Sequence, residues 1–136
     1  MSESNANPPS VDLKDMLVSE LEYIEGTEDA NIFVGMMPES PDDCIALFDT
    51  GGFGLEQYDY EQPNVQVRVR NNSYLTGYQN ARDIKYQLSS GEMNNTTWNG
   101  TRYIMILDRS DILYIGVDEN DRKLFTINFQ IHRSGT

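Results

Sequence analysis

Apolar residues between Val11 and Glu25 recur at three- and four-residue steps. Leu13, Met16, Leu17, Leu21 and Ile24 form one stripe, while Lys14, Asp15, Glu20, Glu22 and Glu25 lie largely off it. That period predicts a helix from Val11 to Glu25. Ser10 is placed to cap it, Asp12 sits at the positive end of its dipole, and Gly26 follows its last turn. A second helix is predicted from Ser73 to Ser90, with Ser73 as N-cap and Gly91 as the stop. On it Tyr74, Gly77, Tyr78, Ala81, Ile84 and Leu88 share one side, where Gly77 permits close approach to a sheet.

Elsewhere the period shortens to two. Val65, Val67 and Val69 alternate with Gln66, Arg68 and Arg70, which predicts a strand with one face in the core and a cationic face pointing elsewhere. Phe125, Ile127, Phe129 and Ile131 alternate with Leu124, Thr126, Asn128 and Gln130, the clearest such signal in the chain. Cys44 to Phe48 is apolar on both faces, as a buried central strand requires. Short strands are predicted at 31–35, 102–107 and 112–117, a polar turn-rich stretch around Trp98, and an Asx-type hairpin turn over Asp118 to Asp121. The order helix, strands, helix, strands predicts an α+β fold: a mostly antiparallel β-sheet with two α-helices packed on one face. At 136 residues it forms a single domain, 1–136, with residues 1–9 as a flexible N-terminal segment.

Charge divides the chain in two. Residues 1–63 hold 15 of the 22 acids with Lys14 as their one base, and residues 64–136 hold 7 acids and 9 bases, so a net charge of −12 is the sum of −14 and +2. Such acidity argues against wrapping nucleic acid, because that binding relies on Lys and Arg neutralising phosphates. Unlike halves suit head-to-tail association of identical copies. Cys44 is the only cysteine, so no intrachain disulfide or cysteine metal cluster can form. No apolar run reaches the roughly 20 residues that span a bilayer, and the polar start lacks the regions of a signal peptide, so an intracellular product with no membrane association is expected.

Candidate chemistry centres on Asp49-Thr50-Gly51. After an apolar strand this tripeptide fits a retroviral-type dimeric aspartic protease, which pairs one Asp from each subunit, and Tyr114-Ile115-Gly116 supplies a later apolar-apolar-Gly. Against it, Gly52 stands where those enzymes generally have Ala or Ser, and Gly116 leads into a hairpin instead of a helix. Asp-Thr-Gly is also a common strand ending. His132 is the only histidine and a poor candidate base, Gly51-Gly-Phe-Gly54 lacks a P-loop lysine, and Asp118 to Asp121 lacks EF-hand spacing. No catalytic, cofactor-binding or metal-binding residue is assigned. A different reading suits the glycine- and tyrosine-rich stretch at 51–63: Phe53, Tyr58 and Tyr60 among carboxylates, with Arg68 and Arg70 after them, form a candidate partner interface.

An ordered series of segments resembles one family. Ile32-Phe-Val-Gly35, Pro38 with Asp43-Cys-Ile-Ala-Leu-Phe-Asp-Thr-Gly-Gly52, Pro63-Asn-Val-Gln-Val-Arg-Val-Arg70, Tyr78 with Ala81-Arg82, Asn99-Gly-Thr-Arg-Tyr103, Asp118-Glu-Asn and Phe125 to Gln130 together resemble the tail terminator proteins of tailed bacteriophages, also described as minor capsid proteins. Asn71-Asn72 and the Tyr58 to Glu61 loop depart from that pattern. The resemblance implies a non-enzymatic virion subunit that assembles as a homo-oligomeric ring, commonly a hexamer. Such a ring caps the tail tube, meets a head connector or stopper protein, and lets DNA pass through its lumen without specific binding. It implies a place in the neck or tail of the virion after assembly in the host cytoplasm. Another neck or head-completion protein is the alternative within that class, and the protease using Asp49 is the alternative outside it.

Overall fold

The computed structural model describes residues 6–53 and 60–134. Two helices, α1 (Pro9–Glu20) and α2 (Tyr74–Ser89), accompany seven strands: β1 (Ile32–Val34), β2 (Cys44–Phe53), β3 (Tyr60–Asn71), β4 (Thr96–Trp98), β5 (Thr101–Asp108), β6 (Leu113–Val117) and β7 (Lys123–Ser134). They form one sheet in the order β1-β2-β3-β7-β5-β4, and β6 also pairs with β7. Every pairing is antiparallel except β1 with β2, which run parallel. The sheet is therefore mixed, within the α+β class that the pattern predicts.

Strand β7 is the spine of this sheet. One edge carries β3 along most of its length; the other carries β6 over residues 123–126 and β5 over residues 129–134. Its side chains Phe125, Ile127, Phe129 and Ile131, with Ile45, Leu47, Val65, Val67 and Val69, form the core under the helices. From α1 come Leu13, Met16 and Leu17, and from α2 come Ala81, Ile84 and Leu88, all fully buried. Both period-two strands and both helical stripes thus meet in one apolar layer, whose burial supplies the main favourable term in folding.

Helix α2 matches its expected span: the Ser73 hydroxyl accepts from the Thr76 N–H at 3.3 Å. Gly77 faces Phe125, and a Cβ there would lie 2.8 Å from Phe125 Cε2 and 3.1 Å from Asn71 Cβ. Helix α1 departs from expectation at both ends. It begins at Pro9, whose fixed φ suits the first helical position, and Ser10 lies inside it, buried. It stops at Glu20, and Leu21 is already extended. The Ile24 N–H donates to Asn31 Oδ1 and the Asn31 N–H donates to the Ile24 carbonyl, so the residues after Glu20 fold into a loop that satisfies its own backbone, leaving Ile24 exposed.

One strand runs well past its expected limit, and another appears where only a turn was expected. β2 continues through Asp49-Thr50-Gly51 to Phe53, with a bulge between Asp49 and Gly51. Gly52 makes that continuation feasible: its φ is +100°, and a Cβ would lie 2.5 Å from the Gln62 carbonyl oxygen of the neighbouring strand. Around Trp98 the expected turn-rich stretch is a hairpin, β4 to β5, turned by Asn99 and Gly100 with φ of 51° and 81°. Both central residues are left-handed, as a two-residue type I′ turn demands.

Candidate assembly surfaces

Asp49 is built into the scaffold. Its Oδ1 accepts from the Ser10 N–H at 3.0 Å and its Oδ2 from the Ser10 hydroxyl at 2.7 Å. The first N–H groups of a helix lack internal partners, so β2 caps α1 across 39 residues of sequence. The carboxylate that a protease would aim at a water is held by a helix start.

One turn into α1, a polar cluster lies under the helix. Asp12, fully buried, accepts from the Tyr103 hydroxyl and from Asn99 Nδ2 at 2.6 Å, and Arg133 lies 3.8 Å away. The Arg133 guanidinium also pairs with Glu61 and donates to the Tyr103 hydroxyl at 3.1 Å and to the Asn7 carbonyl at 2.8 Å. Burial, reinforced by the bond to Asp12, pushes the Tyr103 hydroxyl far above the ordinary tyrosine range, so it stays neutral. A buried charge is tolerable when paired and hydrogen-bonded, and every member here has partners. The cluster ties the N-terminal approach, β3, the β4–β5 hairpin and the end of β7 to one another.

The opposite end of the sheet is held by two more buried arginines. Arg70 donates to the carbonyls of Pro38, Pro41 and Asp42 at 2.6, 2.6 and 3.0 Å. Arg122 pairs with Glu39, Asp42 and Asp118, and donates to the Glu39 carbonyl. The Asp118 carboxylate accepts from the N–H groups of Asn120 and Arg122, forming the expected Asx turn, and those backbone donors together with Arg122 hold it below the usual carboxylate range. Residues 38–42 are thereby fixed against the β6–β7 turn, with Glu39, Asp42, Glu119 and Asp121 facing solvent.

Of the expected interface residues, the structure brings together fewer than the pattern suggests. Phe53 ends β2, and its side chain and Tyr58 lie outside the described residues. Tyr60 is half-buried, its hydroxyl hydrogen-bonded to His132 Nδ1 with the ring centroids 5.8 Å apart. Arg68 is exposed, its guanidinium 5.2 Å from the Phe48 ring centroid. Arg70 corrects the expected cationic face: at 4% exposure it is a loop clamp, because the 38–42 segment folds over that end of β3 and offers it three carbonyls.

A surface that periodicity did not single out lies on β6. Leu113, Tyr114, Ile115 and Val117 are 57, 40, 45 and 50% exposed. Tyr114 packs edge-on against Tyr74 of α2 at 4.9 Å, and Leu75 beside it is 75% exposed. The signal available in sequence was the run Leu-Tyr-Ile-Gly-Val with no charge or proline in it; alternation could not say that one edge stays open. No described helix is long and apolar enough to cross a membrane.

Comparison with known proteins fits this frame. No curated protein matches the sequence. Among solved structures, a chain from the virion of a native gene transfer agent particle superimposes with a TM-score of 0.67 at 9% identity, covering 96% of this chain and 100% of its own length. At that identity the likeness is one of fold. The model of the bacteriophage tail terminator proteins matches residues 12–134, from the buried Asp12 to the last residue of β7, and by that match the chain belongs to the bacteriophage tail terminator family.

Proposed function

We propose that this chain is the subunit of a homo-oligomeric ring, six copies in the family's usual form, that caps a finished phage tail tube and joins it to the head connector or stopper protein. The observation that carries this reading is the family match over residues 12–134. Three features support it. Carboxylates and arginines are spent on locking loops and helix starts, which gives a rigid unit of the kind an assembly part needs. The acidic chain, at −12, suits a lumen through which DNA slides without being gripped. Finally, the exposed apolar strand β6 provides contact area that a solitary subunit leaves wet.

In this reading Phe53, Tyr58, Tyr60 and Arg68 contact the tail tube protein or the connector, while Arg70 acts indirectly by shaping the 38–42 loop. The protein resides in the neck or tail of the virion after assembly in the host cytoplasm. Negative-stain electron microscopy of the purified protein, alone and with isolated tail tubes, tests the reading. Rings, and tubes closed at one end by a ring, are expected. A protein that stays monomeric at high concentration and leaves the tubes uncapped would overturn it.

A further inference from the structure

We propose that the outward stripe of β5, formed by Arg102, Met105, Leu107 and Arg109, receives the acidic loop after α1, residues 20–29, of a second copy of this chain. This rests on the ring reading above and names a contact between its copies. Register places the four side chains together. Arg102 lies opposite Ser134, Met105 opposite His132 and Leu107 opposite Gln130, on the face of β7 turned away from the core. The Arg109 guanidinium donates to Gln130 Oε1 at 3.2 Å on that same face. All four residues are exposed, Met105 and Leu107 at 36 and 40%.

The two arginines keep their charge free. Arg102 donates to the neutral Asn95 Oδ1 at 3.2 Å, and among the described residues neither arginine pairs with a carboxylate. No acid occurs from Met93 to Leu107. Asp108 and Asp111, the acids beside Arg109 in sequence, are turned to Lys85 of α2 at 3.5 and 2.9 Å. Arg70, Arg122 and Arg133, by contrast, are buried against carbonyls or carboxylates of their own chain. Two guanidiniums flanking an exposed aliphatic pair suit an apolar group set among carboxylates.

The loop after α1 has that composition. It holds Glu20, Glu22, Glu25, Glu28 and Asp29 and no lysine or arginine. Glu25 pairs with Lys14, whereas the other four are exposed with no ion pair among the described residues. Between them Ile24 is held outward, 44% exposed, because Asn31 engages its N–H and its carbonyl at 2.8 and 2.9 Å. A cleft of about 600 Å³ beside it, lined by Glu20, Glu22, Tyr23, Asn80 and Asp83 among others, brings together three carboxylates and no cation, a seat for a guanidinium. Two arginines in a chain of net charge −12 are few for a phosphate backbone, but they match a loop that displays one apolar side chain between carboxylates. The loop leads into β1 at one end of the sheet and β5 lies near the other, so a copy gives its loop to one neighbour and takes the loop of another. Like surfaces repel, and a series of such unlike contacts ends only by closing on itself. Arg68, two strands from β5, keeps the contact proposed for it above.

Paired charge reversals test the contact. Arg102→Glu with Arg109→Glu breaks no ion pair within the subunit, so the thermal unfolding midpoint is expected to stay near wild type. Rings of that variant, followed by sedimentation velocity and negative-stain electron microscopy, are expected to need roughly tenfold more protein. Glu20→Lys with Glu22→Lys is expected to do the same. Mixed in equal amounts, the two variants are expected to form rings again, since each reversed stripe then meets a reversed loop and each native stripe a native one. Rings of either variant that form as readily as wild type, or a mixture no better than its components, would overturn the contact while leaving the tail terminator reading intact. Unchanged rings with Arg102→Glu and Arg109→Glu, together with lost binding to a double-stranded DNA oligonucleotide in fluorescence anisotropy, would assign the stripe to nucleic acid instead. Wild-type protein that forms no ring even on tail tubes would overturn that reading itself, and this contact with it.

Discussion

Both carboxylate oxygens of Asp49 are engaged by Ser10, one by its N–H and one by its hydroxyl. Side-chain caps of this kind contribute about 1–2 kcal/mol, so Asp49→Ala is expected to lower the unfolding free energy by that amount in urea titration without changing the slope. A protease would instead lose peptide cleavage with Asp49→Asn. Asp49 shows why a motif is not a site. The tripeptide was legible, but its role depends on the start of α1 lying within hydrogen-bond reach of β2, which no local pattern encodes. Arg70 teaches the same lesson with opposite sign: alternation placed it on a face, and the loop that covers that face hid it.

At the scale of elements, the α2–β7 contact is set by Gly77. Replacing a helical glycine by alanine normally stabilises by up to about 1 kcal/mol. Here the new methyl would meet Phe125, which is fully buried and flanked by Tyr74, Tyr78 and Tyr114 at centroid distances of 5.2, 6.1 and 5.3 Å. Overpacking of that kind costs about 1–3 kcal/mol and outweighs the propensity gain, so Gly77→Ala is expected to lower the melting temperature. Where period and partner agree, as on α2 and β7, the elements were readable from sequence. Where a side chain from elsewhere ends an element, as Asn31 does after α1, the stripe through Leu21 and Ile24 misled. The β4–β5 hairpin was also within reach, because Asn99-Gly100 is the dipeptide that a two-residue turn prefers.

For the whole molecule, the half-buried Tyr23 and the buried Tyr103 set the alkaline limit. Tyr23, against Asp83, is pushed up to about 12, mainly by burial, and Tyr103 is pushed higher still. An unfolded tyrosine releases its proton near pH 10, so above that pH the unfolded chain binds fewer protons than the native one. Stability from these groups is present in full below pH 10 and is lost as pH rises toward 12. Chemical denaturation across that range is expected to show a falling midpoint, and Tyr103→Phe a shallower fall. Taken alone, the sequence determined the two helices, the alternating strands, the α+β class, the charge division and the family, because each is written in local period, composition or ordered segments. The tertiary structure decided the parallel pairing of β1, the cap from Asp49, the three buried arginines and the open edge of β6. Each of those depends on residues far apart in the chain meeting in space, and the number of partners a strand finds is a property of the sheet.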